Sequence, residues 1–175
     1  LGDVYKRQVF DMDLSESIRG ADALMDNMGL SASEAFDYIA KGAQNGLDKS
    51  GELTDNLAEY SSLWAQAGFS AEEMFTILQN GLDSGAYNLD KVNDYVKEFG
   101  VSMSDGRIEE NLKSFSKETQ NLFYAWQDGK VAMKDVFQSV ITDLASMENQ
   151  QEALTIASNT WSALGEDNAM KVITS

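Results

Sequence analysis

The chain predicts an all-α protein: short antiparallel helices in consecutive helical hairpins, joined by Gly- and Asn-rich turns, with no sheet. Three observations carry this. Apolar residues recur at helical spacing in one segment after another, and no segment keeps a period-two alternation for long. Proline is absent from all 175 residues while 13 glycines interrupt the apolar stripes, so helices can run unbroken and turns fall to glycine. Finally, one helix-stop, helix-start phrase is written twice.

The first copy is Gly29-Leu30-Ser31-Ala32-Ser33-Glu34-Ala35-Phe36 and the second is Gly68-Phe69-Ser70-Ala71-Glu72-Glu73-Met74-Phe75. Ser31 with Glu34, and Ser70 with Glu73, have capping-box spacing: the hydroxyl accepts from the N3 amide and the carboxylate returns to the cap amide. Leu30 and Phe69 precede the caps, where an apolar residue packs on N4 (Ala35 or Met74) as a staple. Gly29 and Gly68 suit the left-handed residue that ends a helix. Each copy later reaches Asn-Gly-Leu-Asp, at Asn45 to Asp48 and at Asn80 to Asp83. The first copy's helix is therefore expected to run about one turn longer. The repeat spacing of 35 to 39 residues is that of a helical hairpin, and Phe123 to Trp126 marks a divergent third unit.

The elements follow in order. Asp13 to Met28 carries Leu14, Ile18, Ala21, Leu24, Met25 and Met28 at helical spacing, and Gly29 stops it. Ala32 to Asn45 turns Ala35, Phe36, Ile39, Ala40 and Ala43 inward, with Gly46 as cap. Leu53 to Ala67 has Leu57, Tyr60, Leu63 and Trp64 on one stripe. Ala71 to Leu82 carries Met74, Phe75 and Leu78. Asn88 caps a helix through Leu89, Val92, Tyr95, Val96 and Phe99, closed by Gly100. Another begins at Ser104 or Asp105 and runs through Ile108, Leu112 and Phe115. Ser116 caps a helix holding Leu122, Phe123 and Trp126, and Asp128-Gly129-Lys130 turns the chain. Met133 to Met147 presents Val136, Phe137, Val140, Ile141 and Leu144. Asn149 caps a last long helix through Ala153, Ala157, Trp161 and Leu164, ended by Gly165, with a further helix expected over 167–173.

Composition narrows the function. There are 13 Lys and Arg against 29 Asp and Glu, a net charge of −16. Nucleic acid and anionic membrane surfaces both demand a basic footprint, so direct nucleic-acid binding is not expected. With no Cys and no His, disulfides, thiolate or imidazole metal sites, and Cys or His nucleophile–base pairs are excluded. No apolar run approaches the roughly 18 residues of a membrane span.

The remaining constellations fail on spacing. Asp48-Lys49-Ser50-Gly51-Glu52-Leu53 resembles a calcium loop, but aligning Gly51 with the loop glycine puts Gly46 and Leu57 at ligand positions. Asp11, Asp13 and Ser15 start the same pattern, and Glu16 stands where glycine is required. Glu72-Glu73 and Glu109-Glu110 are helix neighbours that point in different directions. Trp64, Trp126 and Trp161 lie on apolar stripes, as core anchors. No catalytic, cofactor or metal site is legible. The residues singled out, Gly29, Ser31, Glu34, Gly68, Ser70, Glu73 and the three tryptophans, are structural.

From Leu30 on, nearly the whole chain resembles the tape measure proteins of long-tailed phages and prophages of Gram-positive bacteria. The similarity lies in Ala40-Lys41-Gly42-Ala43-Gln44-Asn45-Gly46-Leu47, in Ala67 to Met74, Gly85 to Val92 and Ser104 to Asn111, and in Trp161 to Asn168. The resemblance implies a virion component that occupies the tail tube, sets tail length during assembly in the host cytoplasm, and leaves ahead of the DNA. Its implied partners are tail tube and tail assembly proteins and further copies of the full-length chain. No catalytic residue transfers. As one continuous helix the chain would span about 260 Å, whereas its glycine turns suit a compact bundle. A helical adaptor and a helical lytic enzyme are the competing classes; the second needs a Glu of raised pKa in a cleft.

Asp3-Val4-Tyr5-Lys6-Arg7-Gln8 resembles the translation of a sequencing adaptor, so residues 1–8 are expected to be a scar on an internal piece of a longer protein. The expected organisation is then an N-terminal helix over 9–28, two related hairpins over 29–100, and further hairpins over 101–175. Far-ultraviolet circular dichroism of the purified chain should show helical minima, and a strand-dominated spectrum would contradict the fold class.

Overall fold

The structure is a computed structural model and describes residues 13–86 and 88–161. The scar expected over 1–8, most of the stretch upstream of Leu14, and Leu164, Gly165 and the helix expected over 167–173 lie outside these residues. Among the described residues there are nine α-helices, one 3-10 turn and no strand. They are α1 (Leu14–Met28), α2 (Ala32–Gln44), α3 (Leu53–Gln66), α4 (Ala71–Asp83), α5 (Leu89–Ser104), α6 (Arg107–Glu110), α7 (Lys117–Gln127), α8 (Met133–Ser146) and α9 (Gln150–Thr160). The 3-10 turn, Leu112–Ser114, joins α6 to α7.

Local chemistry sets the helix starts. Asp13, Ser31, Ser70, Asn88, Ser116 and Asn149 each accept a first-turn amide on the side chain, which satisfies one of the orphan donors. The stops of α2, α3, α4 and α7 share one motif. After α3, for instance, Gly68 N donates to Ala65 O at 3.0 Å and Phe69 N to Trp64 O at 3.0 Å. These are the two bonds of a Schellman end.

Helix packing departs from simple hairpins at α1, whose most extensive contact is with α3, two elements on. The expected α1 stripe is rotated as a result. Leu14 and Ile18 are 37% and 43% exposed, while Ser17, Gly20, Ala21 and Leu24 are buried. Small residues win the contact face because α1 and α3 lie close: a Cβ on Gly20 would meet Thr54 Cβ at 3.2 Å. Asn27 Nδ2 to Ser61 Oγ at 2.8 Å and the Arg19–Asp55 ion pair at 2.8 Å border the crossing.

Four other expectations are corrected. α5 does not close at Gly100 but continues to Ser104, because Ser102 and Met103 extend its buried face; an interior glycine weakens a helix by about 1 kcal/mol without ending it. The helix expected from Ser104 or Asp105 through Phe115 is instead the single turn α6, the 3-10 turn and an extended Phe115, although Ile108, Leu112 and Phe115 are all buried. The last helix ends at Thr160, before Trp161, which is extended and fully buried. Finally, α2 and α4 both have 13 residues, so the extra turn is absent. Asn45-Gly46 follows α2 with Gly46 at φ 89, whereas Asn80-Gly81 lies inside α4. There a Cβ on Gly81 would meet Val92 Cγ2 at 2.5 Å, so the missing side chain lets α5 pack close to α4.

Gly29 and Gly68 are both left-handed, at φ 68 and 92, yet only Gly68 is crowded: its Cβ would stand 2.5 Å from Ala132 Cβ, while Gly29 faces open space. Gly29→Ala should cost about 1 kcal/mol of backbone strain. Gly68→Ala should cost roughly 1–3 kcal/mol more, as an overpacked contact does. Urea midpoints of the two variants check this, and equal losses would deny the Ala132 contact.

Candidate functional site

The repeated joint is the place where sequence pattern and tertiary contact meet. In both copies the capping box closes. Ser31 Oγ accepts from Glu34 N at 3.1 Å and Ser31 N donates to Glu34 Oε1 at 3.1 Å. Ser70 Oγ accepts from Glu73 N at 3.1 Å and Ser70 N donates to Glu73 Oε1 at 2.9 Å. Up to this point the copies are equal.

The start of α8 then docks on the second copy alone. Lys134 N donates to Ala67 O at 3.0 Å, the last carbonyl region of α3. Lys134 Nζ lies 2.8 Å from Glu73 Oε1, and Gln138 Nε2 donates to Glu73 Oε2 at 3.2 Å. Ala132 fills the space beside Gly68, and the Phe137 ring meets Phe69 edge-on at 5.8 Å. The Lys134 ammonium, helped by the Ser70 amide, holds the Glu73 carboxyl down to about 2. Glu34 is lowered as well, first by the Ser31 amide, and has no other partner among the described residues.

The covering leaves a record in exposure. Phe69 and Ala71 are buried and Glu73 is half-buried; their counterparts Leu30, Ala32 and Glu34 are half-buried, exposed and exposed.

Of the three tryptophans, two join this region. Trp64 packs edge-on against Phe69 at 5.0 Å, and Trp161 lies 5.0 Å from Phe99 and 6.2 Å from Phe137. Trp126 stands apart, half-buried and 5.8 Å from Phe123. Both buried indoles donate. Trp64 Nε1 reaches Asn93 Oδ1 at 2.8 Å, and Trp161 Nε1 reaches Tyr95 O at 2.8 Å. Asn93 Nδ2 in turn donates to Asn56 Oδ1 at 2.6 Å and Leu89 O at 3.0 Å. Sequence reasoning missed Asn56, Asn93, Lys134 and Gln138. Asn93 had one signal, its place between Val92 and Tyr95 on an apolar stripe.

The other polar clusters are bound up in the fold. Thr119 Oγ1 to Asp143 Oδ2 at 2.6 Å and Ser116 N to the same oxygen at 2.9 Å tie the start of α7 to α8. Asp48, raised by burial, accepts Leu53 N at 3.1 Å. The two Asn-Gly-Leu-Asp words face one hollow of about 250 Å³, where Asn45, Leu47 and Asn80 meet Tyr38 and Phe75. This chemistry joins helices.

A family described as phage-related minor tail protein has a model that matches residues 6–159, which takes in nearly every described helix. The chain belongs to that family. No curated protein and no solved structure matches it. Membership of the phage-related minor tail proteins makes the chain a phage tail protein, with other tail components as its surroundings. Among the described residues of this minor tail protein, no helix is long and apolar enough to cross a membrane.

Two measurements test the joint and its support. Asn93→Ala strands the Trp64 indole and the Asn56 amide, so a loss of about 1–3 kcal/mol is expected in denaturant unfolding. Glu73 has a folded pKa of about 2 against an ordinary 4.5. Its contribution is therefore full above about pH 5 and is lost as pH falls through 4.5 toward 2. Glu73→Gln should flatten that part of the melting-temperature profile, and an unchanged profile would contradict the ion pair.

Proposed function

We propose that the chain is a folded segment of a tape measure protein, the ruler around which a phage tail is built, and that it works by contact rather than catalysis. The observation that carries the reading is the match of the minor tail family over residues 6–159 on a chain whose own wording, from Ala40 to Leu47 and onward, resembles tape measure proteins. The fold supports it in kind: eight described helices of 11 to 16 residues and the single turn α6 surround a continuous apolar core, and a net charge of −16 disfavours condensation on DNA. A lytic enzyme would need a Glu of raised pKa in a cleft; Glu34 and Glu73 are held below the ordinary carboxylate range, and Asp48, which burial raises, accepts Leu53 N.

The test is an in-frame deletion of residues 30–164 in the intact phage gene. Shorter tails are expected, by up to about 200 Å if each deleted residue spans 1.5 Å of tube as helix. A segment that stays folded in the tail would instead cost infectivity or assembly at little-changed length, and unchanged tails with full infectivity would contradict both versions. A peptidoglycan-degrading activity of the purified chain that vanishes with one Glu substitution would overturn the non-catalytic reading.

A further inference from the structure

Among the described residues the duplicated joint is covered in one copy and exposed in the other. In the second copy a helix start sits on it: Ala132 at the N-cap against Gly68, Lys134 at N2 on Glu73, and Phe137 at N5 on Phe69. The first copy repeats the cap on a different helix exit: Gly29 N donates to Met25 O at 3.1 Å, four residues back, where Gly68 N donates to Ala65 O at 3.0 Å, three residues back. Gly29 is left-handed with no atom within 4 Å of a built Cβ, Leu30 stands half-buried where Phe69 is, and Glu34 is exposed. Its capping geometry equals that of the second copy to within about 0.2 Å, with both Ser–Glu bonds at 3.1 Å against 2.9 and 3.1 Å. The joint is thus preshaped by its own hydrogen bonds and needs no partner to form.

We propose that the Gly29–Glu34 joint is a docking surface for the first turn of a partner protein's helix, one with a small residue at its N-cap, Lys at N2 and a large apolar residue at N5. Each requirement has a physical source. The small cap residue fits the space over a residue with no side chain. The Lys at N2 pairs with Glu34, whose carboxylate keeps a lone-pair oxygen free after its cap bond. The large apolar residue covers Leu30, as Phe137 covers Phe69. A cationic contact also suits a chain of net charge −16. The surface exists whether or not the chain sets tail length.

The probe is a peptide of residues 131–147 of this chain, stapled between positions 142 and 146, which are exposed in α8. Its helicity is verified by circular dichroism before use, since short free helices are marginal. The chain's own α8 already fills the Gly68 joint, so added peptide reports on the other copy. In amide NMR of the full chain, saturable shifts are expected at Gly29, Leu30, Ser31 and Glu34. Glu34→Gln, which keeps the cap, should weaken binding about three- to fivefold, as loss of an exposed ion pair does. Ala32→Lys, at the exposed counterpart of buried Ala71, should abolish it with little change in melting temperature. The proposal is overturned if no saturable shift occurs at this joint up to ~1 mM peptide. Shifts confined to Gly68–Glu73, or binding that survives Ala32→Lys, overturn it too.

Discussion

The ring of Phe69 is the contact on which the rest of the bundle depends. It belongs to a joint rather than to a helix, and it meets Trp64 at 5.0 Å and Phe137 at 5.8 Å, both edge-on. Phe137 continues to Phe99 at 5.1 Å, and Phe99 to Trp161 at 5.0 Å. One side chain between two helices thereby connects α3, α5, α8 and the chain after α9. Edge-to-face pairs of this kind contribute about 0.5–1.5 kcal/mol each beyond burial. The ring can stand there only because Gly68 takes a positive φ and lets Ala132 close against it.

The duplication shows how little local identity says about tertiary duty. Glu34 and Glu73 make the same cap, yet only Glu73 also anchors Lys134 and Gln138. Asn45-Gly46 ends a helix, and Asn80-Gly81 sits inside one. In each pair the second copy is committed to the C-terminal half of the molecule and the first is left at the surface.

Polar burial gives the bundle its register. The Trp64–Asn93–Asn56 chain links α3 to α5. Ser102 Oγ at 2.6 Å from Thr160 O, and the Trp161 indole on Tyr95 O, link the end of α9 to α5. Apolar stripes alone tolerate sliding, whereas a buried donor left without its acceptor costs about 1–3 kcal/mol. These bonds therefore select one arrangement of α5 among its neighbours.

The sequence by itself determined the fold class, most of the helix starts and most of the inward faces, because these depend on interactions three or four residues apart. Ser31, Ser70, Asn88, Ser116 and Asn149 were legible as caps for that reason. Tertiary structure alone decided that Gly100 lies within a helix, that Trp161 lies beyond one, that Leu14 and Ile18 face outward, and that the Gly68 joint rather than the Gly29 joint is occupied. These turn on partners far along the chain: Thr54 beside Gly20, Ser102 on Thr160 across 58 residues, Trp161 on Tyr95 across 66 and Lys134 on Glu73 across 61. Capping and periodicity are written in neighbouring residues, while close approach and burial belong to surfaces that exist only once the helices have met.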